Sequence, residues 1–200
     1  MESFFLTNKY FYLSFSCQME LNQGILLLSD PFLKDPNFAR SVILLCEHNT
    51  DGSFGLVLNK KSTHVLSDLV EMAFDLDIIV YDGGPVQQNT LHFIHQHPLL
   101  IPESVEVAKG IYWGGHFKTI IQLLRDGRLS TNDIRFFVGY SGWSNGQLSE
   151  EYESKSWIIA PAIPSLIFLP KDEMIWKKNL HTLGGEYAQM SNYPSDPQLN

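Results

Sequence analysis

The chain has little cysteine, a deficit of positive charge and no long apolar run, and each shortage removes a class of protein. Two cysteines, Cys17 and Cys46, stand among 200 residues with seven histidines. That is too few for a disulfide scaffold and points to a reducing, cytoplasmic location. Lys plus Arg number 14 against 22 Asp plus Glu, a formal charge of −8. Phosphate neutralisation needs clustered cations, and the densest basic points are the pairs Lys60-Lys61 and Lys177-Lys178, so direct nucleic-acid binding is not expected. No stretch approaches the roughly 20 consecutive apolar residues of a membrane-spanning helix, and no membrane role is expected. Gly-x-Gly-x-x-Gly after a strand, a Walker loop and Cys-x-x-Cys are missing, so nucleotide or dithiol chemistry by a standard motif has no support.

What is present is a globular composition, 44% hydrophobic, 18% charged and 12% aromatic, in a chain long enough to bury roughly 70% of its unfolded surface around one core. Residues 4–17 are apolar and aromatic, but Asn8 and Lys9 interrupt them and no basic run precedes them, so a signal peptide is not expected. The expected organisation is an extension over residues 1–18, with Met19 as a candidate start, and one domain over residues 19–200.

From Leu21 onward, short apolar runs alternate irregularly with amphipathic stripes. Gly24–Ser29, Ser41–Glu47 and Phe54–Asn59 read as three neighbouring strands, the last two joined by the turn Asn49-Thr50-Asp51-Gly52. Leu66, Leu69, Val70 and Ala73 recur at helical spacing, with Ser62 or Thr63 as candidate caps. Ile78–Tyr81, Leu91–Ile94 and Ser104–Tyr112 read as strands, and Phe117, Ile120, Ile121 and Leu124 as a helix. Ile134–Val138 reads as a strand ending in the loop Gly139-Tyr140-Ser141-Gly142-Trp143, followed by a polar helix. Asp172 is placed to cap a last helix carrying Ile175, Trp176, Leu180 and Leu183. This order is too irregular for a doubly wound parallel sheet and predicts an α+β domain with a curled, largely antiparallel sheet.

Four motifs carry potential chemistry, each with a plain structural alternative. Strict alternation places Cys46 and His48 on one strand face, where an imidazole would activate a thiol; otherwise Cys46 is a small buried hydrophobe. His92, His95 and His97 form a dense cluster, but alternation turns His92 away from the other two, and no metal site is expected. Ser141 resembles the nucleophile of a hydrolase elbow, yet Trp143 stands where that turn needs its second glycine. The turn Asp82-Gly83-Gly84-Pro85 is either an anion nest or a close crossing of two strands.

Taken in order, these pieces resemble the AlgH/YqgE-like proteins of bacteria, a family without an established biochemical activity. The resemblance runs from Leu21 to about Tyr193. It is carried by Asp35-Pro36-Asn37-Phe38 with Ser41-Val42, Cys46-Glu47-His48, Gly55–Asn59, Gly83-Gly84-Pro85-Val86 with Leu91-His92, Gly139–Trp143 with Gly146-Gln147-Leu148, and then Trp157 and Trp176. It implies a bifurcated sheet curled into a pseudo-barrel with flanking helices. It also implies a binding or regulatory protein that acts through a protein partner or small ligand, with an indirect link to transcriptional control of exopolysaccharide synthesis. No cofactor is implied. Asn59, Gly83, Gly84, Pro85, Val86, Trp143 and Gln147 are the expected binding residues; the alternative is a thiol-dependent enzyme or redox sensor built on Cys46 and His48.

Overall fold

The structure is a computed structural model and describes residues 19–194. The extension over residues 1–18, Cys17 included, lies outside the described residues. β1 (Ile25–Ser29), β2 (Val42–Asn49) and β3 (Gly52–Val57) pair antiparallel in chain order. Every residue of β1 and the first five of β2 are buried, which is why these segments read as continuous apolar runs rather than as alternation.

β4 (Lys61–Val65) and β5 (Ile79–Asp82) flank α1 (Leu66–Leu69) and a 3₁₀ turn, Glu71–Ala73. Ser62 and Thr63, expected as caps, lie within β4; instead the Val65 N–H donates to Asp68 Oδ2 at 3.1 Å. β6 (Val86–His95) is followed by β7 (Val105–Ala108) and β8 (Ile111–Trp113), a hairpin where one strand was expected; Gly110 at φ +76° makes the turn. α2 (Phe117–Arg125) leads to β9 (Ile134–Ser144) and α3 (Gln147–Glu153). β10 (Trp157–Pro161), α4 (Pro164–Ile167), α5 (Glu173–Leu183) and α6 (Gly185–Met190) complete the chain.

The main path of the sheet runs β10-β1-β2-β3-β9-β6-β8-β7. It forks at β9. One edge of β9 pairs with β6, while the other is shared, Phe136–Val138 running parallel to β5 and Ser141–Ser144 antiparallel to β3. The sheet curls until β7 lies against β2, and Leu26, Leu44, Leu56, Val107, Ile111 and Phe137 share one inner core, which α5 covers with Ile175, Trp176 and Leu180. Two outer cores lie on the sheet's other face. One packs α2 on Val80, Phe93 and Phe136; the other packs Leu148 of α3 on Ile43, Val57, Trp143 and Trp157. The architecture is thus an α+β fold with a forked, largely antiparallel sheet curled into a pseudo-barrel.

Two breaks in alternation aim the side chains that matter. In β2 the register slips between Leu45 and Glu47, leaving Cys46 as the extra residue of a bulge. A one-residue slip exchanges faces, so Glu47 pairs with Phe54 and His48 with Ser53. In β9, Phe137 faces inward and Val138 outward, but Tyr140 faces inward again and Trp143 outward. The break falls at Gly139, whose φ of +64° and 2.6 Å gap between an added Cβ and Gly84 O exclude a side chain. β9 therefore continues through residues 139–143, where the sequence predicts a loop.

Candidate functional site

The two breaks and β8 converge on a groove of about 610 Å³ at one end of the inner face. Its floor is aromatic. The Phe54 ring lies 5.0 Å from Tyr140, 5.3 Å from His92 and 5.3 Å from Trp113, and His92 stacks on Trp113 at 6.1 Å. All four rings are half-buried. Burial holds the His92 imidazole below the usual histidine range, so it favours the neutral form; its Nε2 lies 3.1 Å from Thr90 Oγ1. Glu47 and Asp51 line the rim, and no lysine or arginine among the described residues does. Among the described residues, the Tyr140 hydroxyl and the Trp113 indole N–H have no hydrogen-bond partner. The arrangement can stack on a flat or cationic group while offering carboxylates at its edge.

A different cluster occupies the other end of the inner face. Arg135 Nη1 donates to Asp172 Oδ1 at 2.6 Å and to Leu58 O at 3.0 Å, and Nη2 donates to Leu169 O at 2.7 Å. Tyr81 Oη donates to Asp172 Oδ1 at 3.0 Å, and Lys61 Nζ lies 3.2 Å from Oδ2. Asp172 stands at the start of α5 but makes no side-chain cap bond; its carboxylate serves Arg135, Tyr81 and Lys61 instead. Burial and the adjacent Asp172 push the Tyr81 hydroxyl up to about 12, against the pull of Arg135. A cavity of about 260 Å³ borders this cluster.

The residues expected to bind are dispersed. Trp143 and Val86 line the groove, whereas Gly84 and Pro85 border a separate 220 Å³ pocket with Lys60 and Asp82. Asn59 joins two segments, accepting from Val42 N–H at 2.9 Å and donating to Arg40 O at 2.9 Å. Gly83 is held by both backbone groups, its N–H donating to Val138 O and its carbonyl accepting from Val57 N–H. The turn lets β6 cross β9 closely, since a Cβ on Gly84 would overlap the Tyr140–Ser141 peptide. Trp143 and Gln147 are brought together, but by Glu151. Its Oε2 accepts from the indoles of Trp143 at 2.9 Å and Trp157 at 2.8 Å, and its Oε1 accepts from Gln147 Nε2 at 3.0 Å.

The expected thiol–imidazole pair is not formed. Cys46 points into the inner core, its thiol 3.6 Å from Leu44 O and pushed up by burial, while the slip in β2 sends His48 to the opposite face, where Nδ1 lies 2.7 Å from Ser53 Oγ. The three clustered histidines take separate partners as well. His95 is fully buried with Nε2 3.1 Å from Gly114 O, and His97 Nε2 lies 3.1 Å from Asp133 Oδ2. The buried Ser141 hydroxyl donates to Gly83 O at 3.2 Å. Sequence reasoning missed Phe54 and Asp51 as groove residues, and the whole Arg135 cluster, whereas Glu47, part of the Cys46-Glu47-His48 match, does line the groove. The one available signal was the density of aromatics at Phe54, His92, Trp113 and Tyr140, and nothing in the linear order placed them together.

These features define a class of protein: an α+β pseudo-barrel with an aromatic, acid-rimmed groove at one end. Residues 26–188 match the family described as DUF179, AlgH-like, and the chain belongs to that family. A UPF0301 protein of Cytophaga hutchinsonii is 41% identical over 181 residues, covering 90% of this chain and all of the relative; another from Chlorobium luteolum is 41% identical over 180 residues, 90% of this chain and 95% of the relative. The AlgH protein from Pseudomonas aeruginosa, solved in solution, superposes with a TM-score of 0.64 at 27% identity, covering 86% of this chain and 93% of its own. A crystal structure of a Corynebacterium diphtheriae protein has the same fold, with a TM-score of 0.71 at 22% identity over 88% and 94% of the two chains.

Proposed function

We propose that this protein is a binding and regulatory protein that engages a partner protein through the Phe54–His92–Trp113–Tyr140 groove. The observation that carries this reading is a half-buried aromatic floor whose Tyr140 and Trp113 polar tips have no partner among the described residues. Aromatic side chains with one apolar body and one free polar tip are the commonest anchors of protein interfaces. Elsewhere the polar groups of candidate residues are engaged within the fold, as at Glu151 and Asp172, which supports the groove over those clusters. The acidic balance of the chain favours an indirect role in transcriptional control of exopolysaccharide synthesis, in the cytoplasm, over operator binding.

The test replaces Trp113 and Tyr140 with alanine and compares partners crosslinked in the protein's own cells by wild type and variant. Loss of a specific crosslinked protein from a variant that still unfolds cooperatively is the expected result. An unchanged partner set removes the groove from the mechanism. A gel shift near physiological salt in which the pure protein binds one duplex with a large specificity ratio would end the indirect reading.

A further inference from the structure

The rim and floor of the groove also restrict what it can hold. Glu47 and Asp51 both line it, no lysine or arginine among the described residues does, and the whole chain carries a formal charge of −8. We propose that the groove takes the guanidinium of an arginine presented by a partner protein; this rests on the reading of the groove as the binding surface. A cation over an aromatic face is attracted by the ring quadrupole, and the attraction grows when the site is partly desolvated. Phe54, Trp113 and Tyr140 supply three such rings, the Trp113 and Tyr140 centroids lying 5.3 and 5.0 Å from that of Phe54.

His92 strengthens the match. Were its imidazole charged it would repel a guest cation, but burial favours the neutral ring. Glu47 Oε1 accepts from Asn49 Nδ2 at 2.6 Å, which fixes the carboxylate at the rim and leaves Oε2 for a guest. A guanidinium fits better than an ammonium because it is planar, stacks on rings and carries five donors for Glu47, Asp51 and the Tyr140 oxygen. A groove of about 610 Å³ is several times larger than a lone cationic headgroup needs, and the surplus suits the flanking residues of a protein segment, whose backbone carbonyl can accept from the Trp113 indole. Net negative charge would steer such a basic partner toward the chain.

The test is an NMR titration of the full chain with N-acetyl-arginine amide, its neutral isostere N-acetyl-citrulline amide, and tetramethylammonium. The Trp113 indole N–H, assigned with Trp113→Phe, is the reporter. Expected is saturable movement of that signal by the arginine amide, with an affinity about tenfold above citrulline's, about 1.4 kcal/mol, supplied mainly by the rim carboxylates with the ring faces adding to it. In the Glu47→Gln, Asp51→Asn double variant most of that preference should vanish while the rest of the spectrum stays in place. Equal response to citrulline overturns the cationic assignment and leaves the groove as a neutral docking surface; the same preference in the double variant overturns the role given to Glu47 and Asp51. Tighter binding of tetramethylammonium than of arginine amide overturns it in favour of a small quaternary ligand. No movement with any probe overturns both this assignment and the groove reading beneath it.

Discussion

Arg135 and Tyr140 are five positions apart on the same strand and both face the inside of the curled sheet, on the order of 16 Å along the backbone. Around Arg135 the polar atoms have partners inside the fold: Asp172, Leu58 O, Leu169 O and Tyr81 all converge on one buried pair. Around Tyr140 the rings pack on one another, but two polar tips have no hydrogen-bond partner among the described residues. A closed network of this kind holds elements together, here α5 and the α4–α5 connection against β5, β9 and Leu58 just past β3, and has little left to offer a ligand. An open one gives up internal bonding and keeps its donors and acceptors for something outside. Composition does not separate the two ends, since each holds a tyrosine, carboxylates and a group able to carry positive charge. Satisfaction does.

The sharpest way to break this contrast is Asp172→Ala. Removing the carboxylate leaves the Arg135 guanidinium buried without its counter-charge, and the expected loss is about 3–5 kcal/mol of unfolding free energy in a denaturant titration. A loss below about 1 kcal/mol, the range of exposed ion pairs, would show that the network is not holding the fold. Next comes a matched pair of single-atom deletions. Tyr81→Phe removes a hydroxyl that donates to a buried carboxylate and should cost about 1.5–3 kcal/mol, whereas Tyr140→Phe should stay within about 0.5 kcal/mol. Equal costs in the two variants would erase the distinction between the ends.

The smallest effect is the pH dependence carried by His92. Its folded pKa lies below the ordinary value near 6.5 because burial penalises the cation. The unfolded chain therefore takes up the proton first. The stabilising contribution is complete above about pH 6.5 and declines as pH falls toward the folded value. His92→Gln should accordingly lose less stability than wild type between about pH 7.5 and 5.5, a window that brackets the free imidazole. Parallel stability curves for the two proteins would place His92 in water rather than in the groove wall.

Much of the scaffold was legible in the order of residues. Continuous apolar runs at Ile25–Leu28 and Val42–Cys46, and the Asn49–Gly52 turn, made β1, β2 and β3 neighbours, because a buried strand needs apolar residues on both faces and a tight turn needs its own residue types. The helical stripes of α2 and of α5, with Ile175, Trp176 and Leu180, were equally plain, although α6 follows where the sequence closes the last helix. The glycines at Gly83 and Gly84 marked either an anion nest or a close crossing, and the structure makes the crossing, since only a residue without Cβ lets two backbones approach so nearly.

The candidate site was not legible in the same way. Alternation paired Cys46 with His48, and a single extra residue in β2 undid it, burying the thiol and turning Glu47 to the groove. Gly139 did the same for Tyr140 and Trp143, carrying β9 through what looked like a loop. Asp172 had the type and place of a helix cap, and a buried arginine 37 residues earlier took its carboxylate. What the amino-acid order determined by itself was therefore local: which segments are strands, which face of α2 is apolar, which turns need glycine. The facing of side chains beyond a bulge, and the choice of partner for each carboxylate, were decided only by the tertiary structure. A register slip exchanges both faces of a strand at once, and a charge removed from water takes whichever partner the closed fold brings nearest.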